Sequence, residues 1–190
     1  MTDSGASAAP QKEEQSFGRW LIETAVLVAL AFALAYGIRT LLVEPFIVPT
    51  GSMIPTIQIG NRVLAEKVSF RFVRQPRYGD IVVFPDPKGE HPHLIKRVIA
   101  TEGQTVDLKN GKVVVDGQEL VEPYTHGQPS FPLMSEIKFP LVVPAGDVWV
   151  MGDNRTNSGD SRVFGPITVK SVEGHAVWTY WPLSAFGGLQ

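Results

Sequence analysis

Between Arg19 and Arg39 the chain reads WLIETAVLVALAFALAYGI, residues Trp20 to Ile38, with Glu23 as its only charge. No other feature restricts the fold as much. Nineteen residues in an α-helix rise about 28 Å, roughly one hydrocarbon core. Trp20 and Tyr36 stand near the two ends as interfacial anchors, and the flanking arginines are able to snorkel. Two other readings compete with a membrane span. A core helix of a soluble protein would normally keep a polar stripe, which is missing here apart from Glu23. A cleaved leader needs a shorter apolar run followed by a small-residue cut site, whereas here the A-x-A of Ala33 and Ala35 lies inside the run. A single span, residues 19–39, is therefore expected. Lys12 and Arg19 precede it and only Arg39 follows closely, which favours a cytoplasmic N-terminus and an external C-terminal domain. Residues 1–18 are polar, lack apolar periodicity and read as a disordered cytoplasmic tail.

Residues 40–190 lose helical periodicity. Short β-prone runs recur instead: Arg62–Val68, Asp80–Phe84, Leu94–Ala100, Thr105–Leu108, Lys112–Val115, Leu141–Val143, Asp147–Met151 and Ser171–Trp178. Asn110-Gly111 is a strong two-residue hairpin signal, and Asp116-Gly117 repeats it. The chain holds 18 glycines and 15 prolines, which favours turns over long helices. The expected fold class is mostly β: an antiparallel, folded-sheet or barrel-like domain behind one N-terminal transmembrane helix. Glu122–Pro140, with four prolines, reads as an irregular excursion.

Composition removes several chemistries. With no cysteine there is no disulfide scaffold, no Cys-ligated metal and no thiol nucleophile. A net charge of −2 lacks the basic excess usual in proteins that bind nucleic acid, so nucleic acid is not expected. No metal is expected either, because the acidic spacing in 153–160 does not match a calcium loop. The histidines, His91, His93, His126 and His175, lack a G-x-S-x-G elbow to serve and read as surface residues.

Polar residues do stand where a β core would want apolar ones. In Pro49-Thr50-Gly51-Ser52-Met53-Ile54-Pro55-Thr56, prolines and a glycine fix the backbone around Ser52, as an acyl-transfer nucleophile requires. An ordinary tight turn is written in the same way. In the strand Leu94–Ala100, Lys96 is flanked by aliphatic residues. Desolvation there would lower its pKa and let it act as a general base. A lysine guarding an edge strand is the commoner use. The segment Met151–Arg162 is dense in hydrogen-bonding side chains, and Asp160 and Arg162 are spaced to pair.

Taken in order, these segments resemble the bacterial type I signal peptidases, membrane-anchored serine–lysine proteases. PTGSMIPT is similar to the serine box of that family, YGDIVVF to the strand after it, HLIKRVIATEG to the lysine box and GDNRTNSGDSRVFGP to the C-terminal box. The likeness runs from about Glu44 to Pro166. It implies an enzyme without cofactor that removes signal peptides from exported preproteins at the membrane. Ser52 would be the nucleophile and Lys96 the general base, oriented by Ser158. The Ser52 amide and the Thr50 hydroxyl would form the oxyanion hole, although relatives commonly carry serine or glycine at the latter position. Asp153, Arg155, Asp160 and Arg162 would support the site. Phe46, Val48, Met53, Ile57, Val83, Leu94 and Ile95 would line shallow pockets for small side chains before the cut. Trp178 and Trp181 would either touch the membrane interface or pack in the sheet. Three rivals follow: an inert membrane-tethered β binding module, a conjugation-type pilin-processing peptidase, and a self-cleaving repressor-type protease, for which the N-terminal tail is too short. A Ser52–Lys96 separation of about 3 Å separates the enzyme from the inert module.

Overall fold

The computed structural model describes residues 17–189. The chain divides after Ile38 into two units. The expected tail lies outside the described residues, except that Phe17 and Gly18 already belong to a helix. That helix, α1, runs Phe17–Leu41, long and apolar enough to cross a membrane, with none of its residues buried in the protein. Glu23, the exception in the apolar run, accepts a hydrogen bond of 2.9 Å from Arg19 one turn earlier. This pairing reduces the cost of carrying a charge near the helix end.

In the second unit the strands are β1 (Val43–Ile47), β2 (Arg62–Glu66), β3 (Ile81–Pro85), β4 (His93–Thr101), β5 (Thr105–Lys109), β6 (Lys112–Val115), β7 (Gln118–Glu119), β8 (Leu141–Val142), β9 (Asp147–Met151), β10 (Ile167–Thr168), β11 (Gly174–Trp181) and β12 (Gly187–Gly188). The larger sheet has the order β1-β2-β11-β3-β4-β9-β10, with β12 on β11, and the smaller has β7-β6-β5-β8. All pairings are antiparallel. The domain is thus the expected antiparallel folded sheet, but its strand path is open at both ends and closes no barrel. Pro45, which cannot donate to a ladder, sits in the edge strand β1, where its missing N–H costs nothing.

The turn signals act as the sequence indicates. Asn110 and Gly111 both have positive φ, 51° and 76°, and join β5 to β6; Asp116 and Gly117, at 51° and 81°, join β6 to β7. This is the backbone twist that a two-residue hairpin needs. In β3, Ile81 and Val83 face one core and Val82 and Phe84 the other. Burial on both faces explains why this strand is an unbroken apolar run. Strand β4 carries a bulge between Val98 and Ala100. The bend directs Ile99 and Ala100 to a third core, shared with Val106, Val113 and Trp149 of the smaller sheet and β9.

Candidate active site

The serine segment lies between β1 and β2. Ile54 N donates to Gly51 O, and Ile57 N to Met53 O, forming successive turns. Met53 and Ile57 point inward and are fully buried in the core with Phe46, Val63 and Ile95. Ser52 directly precedes the first of these anchors and is half-buried. From the opposite side, Asn154 N donates to Ser52 O at 3.0 Å and Asn154 Nδ2 donates to Gly51 O at 2.9 Å. A side chain at Gly152 would overlap Ser52 O and Ser158 Oγ, so the C-terminal segment approaches this closely only with glycine there.

Lys96 lies in the middle of β4, between β3 and β9, and is 1% exposed. It therefore does not guard an edge. Its Nζ donates to Ser52 Oγ at 2.7 Å and to Ile95 O at 3.1 Å. Burial lowers its pKa to about 8, against the opposing pull of the Asp160, Asp86 and Asp153 carboxylates. A fully buried amine held near neutrality and in contact with a hydroxyl is equipped to remove its proton.

The C-terminal segment builds the frame behind this pair. Asp153, fully buried, accepts from Arg97 Nε at 2.8 Å and Arg97 Nη2 at 2.7 Å, and also from the Thr56 hydroxyl. Arg162 grips Asp160 through 2.8 and 2.9 Å hydrogen bonds, as their spacing indicates, and donates to Arg155 O at 2.8 Å. Asp160 in turn accepts from Gly152 N at 3.1 Å. Arg155 donates to both Glu122 oxygens, at 2.8 and 2.6 Å, and to Ser130 Oγ at 2.7 Å. The excursion 122–140 thus neutralises a buried arginine of the frame. Thr50 borders the site beside Ser52. Ser158 Oγ is buried and makes no hydrogen bond among the described residues; it neighbours Gly152 and makes no bond to Lys96.

Two clefts meet at Ser52. One, about 530 Å³, is lined by Phe46, Val48, Met53, Leu94 and Ile95, with His91 and His93 at its rim. Ile57 and Val83 do not reach it. Both are fully buried behind Met53 and Ile95, because the turn after Met53 and the alternation of β3 direct them into the core. The other cleft, about 240 Å³, is more polar and is bordered by Asp86, Lys88, Glu90, Lys96 and Asn157.

Arg97, Thr56, Glu122, Ser130 and Asn154 gave no individual signal in the sequence. Only the second charge in LIKRVI marks Arg97, as a cation directed into a core from the face opposite Lys96. Two histidines also depart from expectation. His175 is partly buried between Glu66 and Asp80, at 3.4 and 3.6 Å, and His93 lies 2.8 Å from a Glu173 oxygen. Trp178 and Trp181 lie in β11 but remain about half exposed, and Trp178 packs edge-on against Phe186.

The family model described as signal peptidase, peptidase S26, matches residues 21–181. A probable signal peptidase I-1 of Synechocystis sp. is 41% identical over 90% of this chain and 88% of its own length. A signal peptidase I of Leptolyngbya laminosa is 38% identical over 89% and 84% respectively. A solved signal peptidase I from Enterococcus faecalis is 32% identical, covering 54% of this chain and 97% of that one, with a TM-score of 0.47. The family match spans the apolar helix, the serine and lysine segments and the frame behind them, and the chain belongs to the signal peptidase family of serine endopeptidases, peptidase S26.

Proposed function

We propose that this chain is held in a membrane by α1 and cuts signal peptides from exported preproteins through Ser52 and Lys96. The observation that carries this reading is the 2.7 Å contact between Lys96 Nζ and Ser52 Oγ, made by a lysine that is itself fully buried. With Lys96 neutral, the Ser52 hydroxyl donates into the same contact. As Oγ attacks the scissile carbonyl carbon, its proton passes to Nζ and the carbonyl oxygen becomes an oxyanion. The Ser52 amide and the Thr50 hydroxyl are the donors assigned to that oxygen. Collapse of the intermediate breaks the C–N bond, and the Lys96 ammonium returns its proton to the departing amine. Water then attacks the acyl-enzyme, with Lys96 again taking the proton; the bond from the acyl carbon to Ser52 Oγ breaks, Lys96 returns that proton to Oγ, and the signal peptide leaves with a new carboxylate. Asp153, held by Arg97 and accepting from Thr56, joins the C-terminal loop to the serine loop, and the Arg162–Asp160 pair stiffens the C-terminal loop.

Substrate choice follows from the apolar cleft. An extended peptide alongside the edge strand β1 presents alternate side chains, so small residues at positions −1 and −3 fill shallow depressions among Phe46, Val48, Met53, Leu94 and Ile95. The amine leaves through the polar cleft. The catalytic domain is assigned to the external side, with the N-terminus cytoplasmic.

Cleavage of a model preprotein by the full chain in lipid vesicles tests this. Ser52→Ala and Lys96→Ala should each abolish processing while the protein still inserts and folds. Near-normal cleavage by Lys96→Ala would remove the dyad. Efficient cutting after a bulky residue at −1 would remove the shallow-cleft assignment. The pilin-processing alternative predicts that only one dedicated substrate is cut, so turnover of unrelated preproteins excludes it.

A further inference from the structure

The link from β2 to β3 contains a turn that exposes apolar residues without an evident folding reason. Ser69–Val73 forms one π-helical turn, closed by a 2.9 Å hydrogen bond from Arg74 N to Ser69 O. Its start is held by the Glu66 carboxylate, which accepts from Val68 N and Ser69 N at 2.9 Å each. Its end is held by Arg74, which pairs with Asp80 through both terminal nitrogens and lies 5.2 Å from the centre of the Phe70 ring. A turn fixed at both ends nevertheless directs Phe72 and Val73 outward, 75% and 73% exposed. Outward apolar side chains on a rigid support indicate a surface that something covers.

Beside this tip lies a groove of about 400 Å³ bordered by Lys67, Phe70, Arg71, Lys170, Val172 and Glu173. Arg71 and Lys170 are exposed and have no ion-pair partner among the described residues. Lys67 is paired with Glu44 at 2.6 Å, and Glu173 lies against His93. The groove therefore presents two cations without ion-pair partners, Arg71 and Lys170, with the Glu173 carboxylate also on its border, next to an apolar tip. Lys67 N also donates to Leu42 O at 2.8 Å. Leu42 directly follows the apolar helix in the chain, so connectivity alone limits how far this turn can lie from the surface of the membrane that holds the helix.

We propose that this turn and groove form a docking site for anionic phospholipid, with the headgroup phosphate between Arg71 and Lys170 and with Phe72 and Val73 inserted at the acyl boundary. Cations beside an apolar wedge match the two layers of such an interface: negative headgroups above hydrocarbon. A protein partner would meet the same apolar tip, but the paired requirement for anion and hydrocarbon, next to a membrane exit, favours lipid. This site rests on the reading that α1 is inserted in a membrane. It does not depend on the chemistry at Ser52.

Because the chain has no cysteine, single labels are clean. Full-length Phe72→Cys and, separately, Val73→Cys, each carrying an environment-sensitive fluorophore, are reconstituted in phosphatidylcholine vesicles with or without phosphatidylglycerol. Leu30→Cys reports insertion of the helix independently. The expected result is several-fold weaker quenching by aqueous acrylamide, an uncharged quencher, at 72 and 73 when phosphatidylglycerol is present, together with quenching by a headgroup-attached nitroxide. Arg71→Glu with Lys170→Glu should restore most of the acrylamide access. If 72 and 73 stay open to acrylamide while 30 is protected, the proposal fails although the anchor stands. Equal shielding with and without phosphatidylglycerol, or shielding that survives charge reversal, removes the anionic-lipid assignment. Shielding seen only in native membranes, and not in pure lipid, assigns the tip to a protein partner instead.

Discussion

Arg97 and Asp153, one from β4 and the other from the loop after β9, meet through two hydrogen bonds of 2.8 and 2.7 Å, and neither is accessible to solvent. Arg97 also lies 4.1 Å from the centre of the Tyr124 ring and donates to Gly79 O at 2.9 Å. The residue adjacent to the proposed base thus ties the C-terminal loop to β4, and Asp153 in turn accepts from Thr56 of the serine loop.

Removing one partner leaves a buried charge without compensation. Arg97→Ala or Asp153→Ala should therefore destabilise the domain by about 3–5 kcal/mol. The double variant should lose less than the sum of the two single losses. Urea unfolding of the detergent-solubilised protein, carried out as a double-mutant cycle, checks both statements.

The reaction should speed up with pH. Lys96 acts as a base only when neutral, and burial sets its pKa at about 8. kcat/KM should rise through that value and then level off. Asp86 is among the carboxylates that favour the ammonium form. Asp86→Asn should accordingly move the rising limb to lower pH. A profile that stayed in place would show that this charge does not reach Lys96.

The same lysine costs stability. Its folded pKa, about 8, lies below the usual 10.5, so below pH 8 the domain holds an ammonium that burial disfavours. The difference corresponds to roughly 3 kcal/mol. Between these two values the unfolded chain binds the extra proton, so stability from this group rises with pH. Lys96→Met should be inactive and more stable than the parent at pH 7, by up to about that amount. The advantage should shrink as the pH approaches 10.5. Thermal unfolding of both proteins across this range provides the comparison.

Gly152→Ala should injure catalysis more than binding. The added methyl would overlap Ser52 O and Ser158 Oγ, forcing the nucleophile away from Lys96. A displacement of about 1 Å at a reacting atom can cost on the order of 100-fold in rate. A kcat reduced to that extent, with KM changed much less, is the expected outcome of steady-state kinetics.

The sequence alone determined the elements whose cause is local. The apolar run of Trp20–Ile38 specifies one helix by itself, and α1 is long and apolar enough to cross a membrane. Asn110-Gly111 and Asp116-Gly117 specified their hairpins, because few residues tolerate positive φ. Ser52 and Lys96 were legible from the order of short segments and from a lysine set among aliphatic neighbours. The tertiary structure decided everything that depends on residues far apart in the chain. It separated the five cleft residues from Ile57 and Val83, since strand alternation alone does not say which face meets a cavity. It joined Glu122 to Arg155 and Arg97 to Asp153, which no spacing rule connects because burial, not sequence distance, creates the need for a partner. It also placed the exposed tip of Ser69–Val73 beside the cations Arg71 and Lys170. Lys170 lies far along the chain from that turn, and only the packing of β2, β11 and their connections brings it there.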